Sequence, residues 1–440
     1  MSVIKSDIPK ENFEEYASQY LVGGVSSTFR RNPFTGKTMY ASKADGPYIY
    51  DMTGRRFIDF LMGNGAVPLG HNRPEIMEAV REALERGFFA MYDTDYSVEF
   101  ARKIIEHVPC AEKVRYTNSG SEATLLTMRL ARGHTGRDKI VRIDGHFHGG
   151  HDYALCNNLF TKADMENDGT KPSKITNLTS GIPQAIGDTI YLIPWNRAEV
   201  FEKLAFEKGD EIAAIIMNPV DYNNGCVTTT AEYLQEIRDI CDKYGIVLIF
   251  DEVLAGFRTG LNCAQGHYGV TPDLCCLAKA LTNGVPLAAV AGKEKIMMKI
   301  MDPENPVVAG GTFTGNLVGC AAGLAAFSIL EREGFYEEWL GRAGDFFESL
   351  QQVFDDVDYP ASIQHHGCSF FIYPGTRECV QEPRDFGKLD LPFAIRFIRA
   401  CEEKGVYFHS DFTVSAMHDR QVLEEALNVI GEAVKEAKEG

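Results

Sequence analysis

The apolar run Ile246–Phe250 ends in Asp251-Glu252-Val253, and a lysine, Lys279, follows further on in Leu277-Ala278-Lys279-Ala280-Leu281. Such a run reads as a strand buried on both faces, as central parallel strands are. Ligands in parallel sheets bind at the carboxyl ends of the strands, which is where Asp251 stands. A carboxylate buried there needs a cationic partner, or it takes up a proton and neutralises itself. A protonated pyridine nitrogen is one such partner, and a lysine in apolar surroundings is a source of nucleophilic amine. Together these are the chemistry of pyridoxal phosphate (PLP).

Taken alone, Lys279 reads as an ordinary helix residue; its flanks point further. Val270-Thr271-Pro272-Asp273 leads into the short apolar strand Leu274–Leu277, and Asn283-Gly284-Val285-Pro286 turns the chain back. That puts Lys279 at a strand end, beside Asp251. Asn118-Ser119-Gly120-Ser121-Glu122-Ala123 follows a short strand and opens a helix. Small residues at a helix N-terminus leave backbone N–H groups and hydroxyls free to hold a phosphate, although Ser119 and Glu122 also fit a plain capping box. Asp144-Gly145-His146-Phe147-His148-Gly149-Gly150-His151 ends another strand. Its three histidines lack the helical spacing and the carboxylate or thiolate that a zinc site combines, so no metal is expected. Phe147 or a histidine could stack on a planar ring there. Gly310-Gly311-Thr312-Phe313-Thr314-Gly315-Asn316 offers a second anion-binding turn or a plain loop, and Arg30 with Ser27 could grip a substrate carboxylate.

The elements that must position these groups alternate. Helices are expected at 74–86, 97–107, 121–132, 197–206 and 230–243, and strands at 113–117, 139–143, 189–193, 212–217, 246–250, 273–277 and 287–291. That rhythm implies a mostly parallel seven-stranded α/β sheet flanked by helices. Before it come a short acidic helix and a hairpin, 48–51 with 56–60. A polar stretch at 157–187 reads as a lid or exposed loop. After 325 a long helix, strands around 363–373 and 405–415 and a closing helix form a smaller α+β domain. The division expected is 1–70 for an N-terminal segment, 71–325 for the large cofactor-binding domain and 326–440 for the C-terminal domain.

The 440 residues carry a formal net charge of −18, which argues against nucleic acid or an anionic membrane as the main partner. The 11 cysteines are scattered without a CxxC pair, as buried thiols in a reducing compartment would be. The N-terminus lacks a signal-peptide core and no run is long enough to span a membrane, so the cytoplasm is the expected location. No G-x-G-x-x-G opens a βαβ unit, which argues against a dinucleotide enzyme.

In this order the segments resemble the fold-type I PLP enzymes, specifically the class III aminotransferases of the glutamate-1-semialdehyde aminomutase-like branch, from Gly23-Gly24-Val25 to the last helix. The most specific matches are Asn118–Ala123, Leu248–Arg258, Lys279 and Gly311–Asn316. The resemblance implies that Lys279 is the Schiff-base lysine and that Asp251 pairs with the pyridinium nitrogen. It implies that Ser119, Gly120 and Ser121 hold the phosphate, that Phe147 and Val253 cover the two ring faces, and that Asn223 approaches the ring's edge. Thr312 would reach the phosphate of the partner subunit, making a homodimer with shared active sites, and Ser27 and Arg30 would face the substrate carboxylate. Leu254 fits the aminomutase-like branch, where many class III relatives have Gln. The family's Glu-Pro-Val is here Asn218-Pro219-Val220; departures from the aminomutase itself are Asn64 in place of a tryptophan and His409-Ser410-Asp411 in place of Ala-Pro-Ser. The activity expected is transfer of an amino group from a carboxylate-bearing amino acid to a keto acid; an isomerase, either aminomutase or racemase, is the alternative within enzymes. A non-catalytic PLP-fold binder is the alternative outside them.

Overall fold

The structure is a computed structural model that describes residues 9–157, 169–175 and 179–440. Its centre is a seven-stranded sheet in the order β4-β10-β9-β8-β7-β5-β6. The strands are β4 (Lys113–Thr117), β5 (Lys139–Ile143), β6 (Ile190–Ile193), β7 (Ile212–Met217), β8 (Val247–Glu252), β9 (Leu274–Leu277) and β10 (Ala288–Gly292). β10 is antiparallel to both β4 and β9, and the remaining pairings are parallel. Every residue of β7, β8, β9 and β10 is buried, which only strands covered on both faces can be.

Helix ends are set by local chemistry. Thr230 accepts from the Tyr233 N–H to start the helix Ala231–Tyr244, and Gly245 at φ 63° ends it and turns the chain into β8. The same pair of devices, Ser119 and Gly136, bounds the helix Gly120–Thr135 between β4 and β5.

A smaller α+β layer follows, with the antiparallel sheet β11-β12-β14 (Ala361–His366, Ser369–Pro374, Phe412–Thr413) and the helices Phe335–Asp356, Leu391–Lys404 and Arg420–Glu439. The N-terminal segment joins it: β1 (Ala41–Asp45), β2 (Tyr48–Asp51) and β3 (Arg56–Asp59) form a sheet whose fourth strand is β13 (Val406–Tyr407), parallel to β3. Phe60 stacks at 5.4 Å on Phe346 and at 5.1 Å on Phe408, so residues from both ends of the chain share one aromatic core.

The expected strands of the large sheet lie within two residues of the observed ones. Among the elements not anticipated are β1, whose first three residues are exposed, and the helix Leu391–Lys404, which starts on Leu391-Pro392. The short N-terminal helix is Phe13–Ser18. Much of the 157–187 lid, 158–168 and 176–178, lies outside the described residues; of the remainder, Ser173 bridges to Leu192 and Gln184–Gly187 is one helical turn. Among the described residues no helix is long and apolar enough to cross a membrane.

Candidate active site

Five parallel strands deliver their following turns to one edge of the sheet: Ser119 after β4, His146–His148 after β5, Asn218 after β7, Asp251 at the end of β8 and Lys279 after β9. This is the carboxyl edge, where an open α/β sheet leaves room for a ligand.

Asp251 is 2% exposed and both of its carboxylate oxygens are engaged. Oδ1 accepts from the Val253 N–H at 3.0 Å, and Oδ2 pairs with His148 Nδ1 at 2.8 Å. Against an ionised carboxylate that ring nitrogen is the donor, which fixes the imidazole tautomer. Burial lowers the pKa of His148, opposed by its bond to Asp251, so the ring is held as a neutral donor. Asn218 donates Nδ2–H to the Asp251 carbonyl at 3.3 Å and its own N–H to His146 Nδ1 at 3.0 Å, tying the ends of β7, β8 and β5 together.

Lys279 is half-buried and opens the turn Lys279–Thr282 in the left-handed region at φ 51°, a strained position for a side chain of its size. Asn283 fastens that turn, accepting from the Leu69 N–H at 3.0 Å and donating to the Gly70 carbonyl at 3.0 Å. The amine has no hydrogen bond or ion pair among the described residues. Burial lowers its pKa from 10.5 to about 8, against the opposing pull of Asp411 and Asp251. A lysine so placed presents far more free amine at neutral pH than an ordinary surface lysine.

The Ser119–Ser121 turn is close-packed against these groups. Ser119 Oγ accepts from the Glu122 N–H at 3.2 Å and so caps the helix, while Glu122 Oε2 accepts from the Asn118 N–H at 2.6 Å rather than from Ser119, leaving the capping box half formed. This leaves the other first-turn N–H groups without helical partners. A Cβ on Gly120 would stand 2.9 Å from Val253 Cγ1, which is how the phosphate-type turn and the end of β8 come together. Ser121 Oγ accepts from the Gly150 N–H at 2.9 Å. Gly149, at φ +100°, would place a Cβ 2.5 Å from that oxygen. Gly149→Ala is therefore expected to cost about 1–3 kcal/mol and to loosen the Phe147–Gly150 turn, a loss that thermal unfolding reads directly.

Phe147 is half-buried, and Phe29 packs edge-on to it at 5.5 Å. That contact brings the exposed turn Thr28–Arg30, with Ser27 before it, to the site's border. The Arg30 guanidinium has no ion pair among the described residues. Asn223 is half-buried in the loop after β7, where its backbone N–H helps to hold Asp221, a carboxyl that burial pushes up to about 6. Thr312 is exposed, and its carbonyl accepts from the Met91 N–H at 3.1 Å.

Two further charged residues whose roles were not anticipated from the sequence, Arg258 and Asp411, act electrostatically on the Lys279 amine. Arg258 is fully buried and donates Nη1–H to Thr413 Oγ1 at 2.9 Å and Nη2–H to the Gly65 carbonyl at 3.0 Å, while Asp411 Oδ2 lies 3.5 Å from Nη2. Size alone does not mark the site. A cavity of about 830 Å³ beneath the N-terminal segment, lined in part by Arg31, Tyr40, Arg55 and Glu402, contains neither Lys279 nor Asp251.

The class III aminotransferase profile matches residues 31–430. The chain belongs to the class III aminotransferase family. Among its relatives is a protein of Pyrobaculum calidifontis named glutamate-1-semialdehyde 2,1-aminomutase, 37% identical over 96% of this chain and 94% of that one. A protein of the same name from Polynucleobacter asymbioticus is 37% identical over 93% and 94%. Among solved structures, an omega-transaminase from Sphaerobacter thermophilus superposes with a TM-score of 0.89 at 28% identity, covering 99% of both chains. A glutamate-1-semialdehyde-aminomutase from Pseudomonas aeruginosa shares the fold, with a TM-score of 0.84 at 19% identity over 97% of this chain and 94% of that one.

Class III aminotransferases work with PLP, and this chain is a PLP-dependent enzyme of that family. Its residues fit the cofactor. An amine with no partner among the described residues and a lowered pKa, a buried carboxylate held by a neutral histidine, and a helix N-terminus closed by glycines that tolerate no Cβ are the donor and acceptor set that an aldehyde, a pyridine nitrogen and a phosphate require.

Proposed function

We propose that this enzyme is an aminomutase-type isomerase, shifting an amino group within one carboxylate-bearing substrate. The observation that carries this reading is the name shared by relatives 37% identical over more than nine-tenths of the chain. It moves intermolecular transamination, the activity first expected, to second place. Transamination keeps support from the 28% identical omega-transaminase and from Asn64, which departs from the aminomutase pattern.

Bound at the carboxyl edge, PLP supplies an electron sink for negative charge at the substrate carbon that carries the amine. The chain does the rest. Lys279 is the amine that would carry the cofactor's aldehyde, and when free it would move a proton between the amine-bearing substrate carbon and the cofactor carbon. Asp251 holds a proton at the ring nitrogen, and His148 fixes the rotamer of Asp251. Ser119, Gly120 and Ser121 bind the phosphate, Phe147 and Val253 cover the ring faces, and Asn223 faces the ring's edge. Ser27 and Arg30 take the substrate carboxylate, a role that accords with a guanidinium that has no ion pair among the described residues.

We place the enzyme in the cytoplasm as a homodimer in which Thr312 reaches the phosphate of the partner subunit. Large apolar side chains support a covered face around Thr312: Phe88, Met91, Tyr92, Val308 and Phe313 are 64–84% exposed, and the Met91–Thr312 bond joins the two loops that carry them. The division at 1–70, 71–325 and 326–440 belongs to the same reading.

The deciding experiment follows glutamate 1-semialdehyde, then a panel of amino acids, with and without added pyruvate or 2-oxoglutarate. Sustained isomerisation of a single substrate without keto acid supports the aminomutase reading. Turnover that starts only on adding a keto acid replaces it with transamination. Arg30→Ala is expected to raise KM for carboxylate substrates about tenfold or more while changing kcat little. Equal damage to amines that lack a carboxylate would remove Arg30 from the substrate site.

A further inference from the structure

The amino edge of the large sheet, opposite the Asp251 and Lys279 end, carries a concentration of charge contrary in sign to the chain as a whole. A crevice of about 300 Å³ opens there, where β8 begins and β10 ends. Arg137, Arg238, Lys293 and Lys295 line it, with the carboxylates of Asp242 and Asp273 among the described residues. In a chain of formal net charge −18, a hollow with that excess of cations focuses the field and raises the local concentration of anions.

Both carboxylates are already engaged. Asp273 Oδ1 accepts from Lys293 Nζ at 2.5 Å, while Oδ2 accepts from Arg238 Nη1 at 2.9 Å and from the Leu248 N–H at 2.8 Å. Asp242 Oδ1 lies 2.8 Å from Arg238 Nη2. Neither is left for Arg137 or Lys295. Arg137 commits Nη1 to the carbonyls of Ile212, Tyr244 and Gly245, at 3.1, 3.0 and 3.0 Å. Its Nη2 and Nε have no acceptor among the described residues. The exposed Lys295 amine has no hydrogen bond or ion pair among them, and its neighbour Glu294 pairs with Lys113 at 3.3 Å.

The buried member of the group is also incomplete. Arg238 is 8% exposed, and its Nε–H finds no acceptor. A buried donor left unmatched is costly, so an arriving acceptor is favoured there. His134 on the crevice wall registers the same field: burial, then the charges of Lys295 and Lys299, lower its pKa.

We propose that this crevice is a second anion site, which holds the phosphate group of a small molecule at the edge of the sheet opposite the cofactor. Arg137 and Lys295 supply uncommitted charge, and Arg238 is the buried anchor. A planar guanidinium meets two phosphate oxygens at once, whereas Lys295 acts as a point charge at the rim. The volume is that of the smaller ligand sites. No lining residue belongs to the Ser119–Ser121 turn or to the Asp251 and Lys279 group, so the site is separate from that of the cofactor.

The test uses the PLP-loaded enzyme, in which the cofactor already fills its own phosphate turn. Inorganic phosphate, and separately glycerol 3-phosphate, is titrated into it by calorimetry at fixed ionic strength. One saturable site with a Kd below about 1 mM is expected for at least one of the two. Lys295→Glu and Arg137→Gln are each expected to weaken it at least about tenfold, the loss of one charge-assisted contact. Lys435→Ala, on the exposed face of the helix Arg420–Glu439, is expected to leave it unchanged. Tighter binding of glycerol 3-phosphate than of phosphate supports the site with a phosphate monoester as its ligand; equal or weaker binding supports it with the free anion. No saturable binding of either up to about 10 mM, or binding that Lys295→Glu does not weaken, overturns the proposal. Because Lys295 is exposed and makes no contact that the fold needs, that variant decides the matter even if Arg137→Gln fails to fold.

Discussion

Lys279→Ala is expected to abolish the covalent attachment of PLP and to lower turnover by at least about 10⁴-fold. The variant removes two functions at once: the amine that links to the cofactor, and the group that moves the proton at the substrate carbon. General acid–base transfer alone is worth about 10²–10⁴-fold, and loss of the covalent route adds to it. The cofactor itself should still bind. The Ser119–Ser121 turn and the Asp251–His148 pair are built from β4, β5 and β8 and do not depend on the lysine side chain. Dialysis followed by absorbance and a single-turnover assay separates the two effects. Near-normal turnover in the alanine variant would remove the mechanism altogether.

Asp251→Ala carries the second large effect, in activity and in stability. Its removal deletes the negative charge at the ring nitrogen and leaves the His148 Nδ1–H and the Val253 N–H buried without acceptors. Each orphaned donor costs about 1–3 kcal/mol. The loss of activity is expected to be about 10²–10⁴-fold, as for removal of a preorganised electrostatic partner. Asp251→Asn separates the two consequences. Its amide oxygen can still accept one of the two N–H bonds, so most of the stability should return while the activity should not. If the asparagine variant comes within a few-fold of the unaltered enzyme, the charge is not what the site uses.

The parts of this molecule legible from sequence are those in which one short segment carries the whole signal. β8 is uniformly buried, so its apolar run announced a central strand, and its last residues announced a site. Lys279 was legible from the strand before it and the Asn283 turn after it. What stayed hidden depends on contacts between distant segments. His148 and Asp251 are 103 residues apart, and nothing in the Gly-rich turn singles out His148 from His146 and His151 as the carboxylate's partner. Arg258 and Asp411 are 153 apart, and a lone aspartate after Ser410 carries no periodicity. One signal was available: an arginine amid the apolar residues that follow β8 cannot be buried without a counter-charge. The helix Leu391–Lys404 escaped because its early Pro392 reads as a breaker, whereas in the first helical turn a proline is favourable. β1 escaped because an edge strand with an exposed start has no apolar alternation.

The measurement that bears most directly on the whole account is reduction of the PLP-loaded, unaltered protein with borohydride, followed by peptide mapping. A single pyridoxyl adduct on the Leu277–Leu281 peptide, at Lys279, is the result predicted. An adduct on another lysine, or none after reduction, would contradict it.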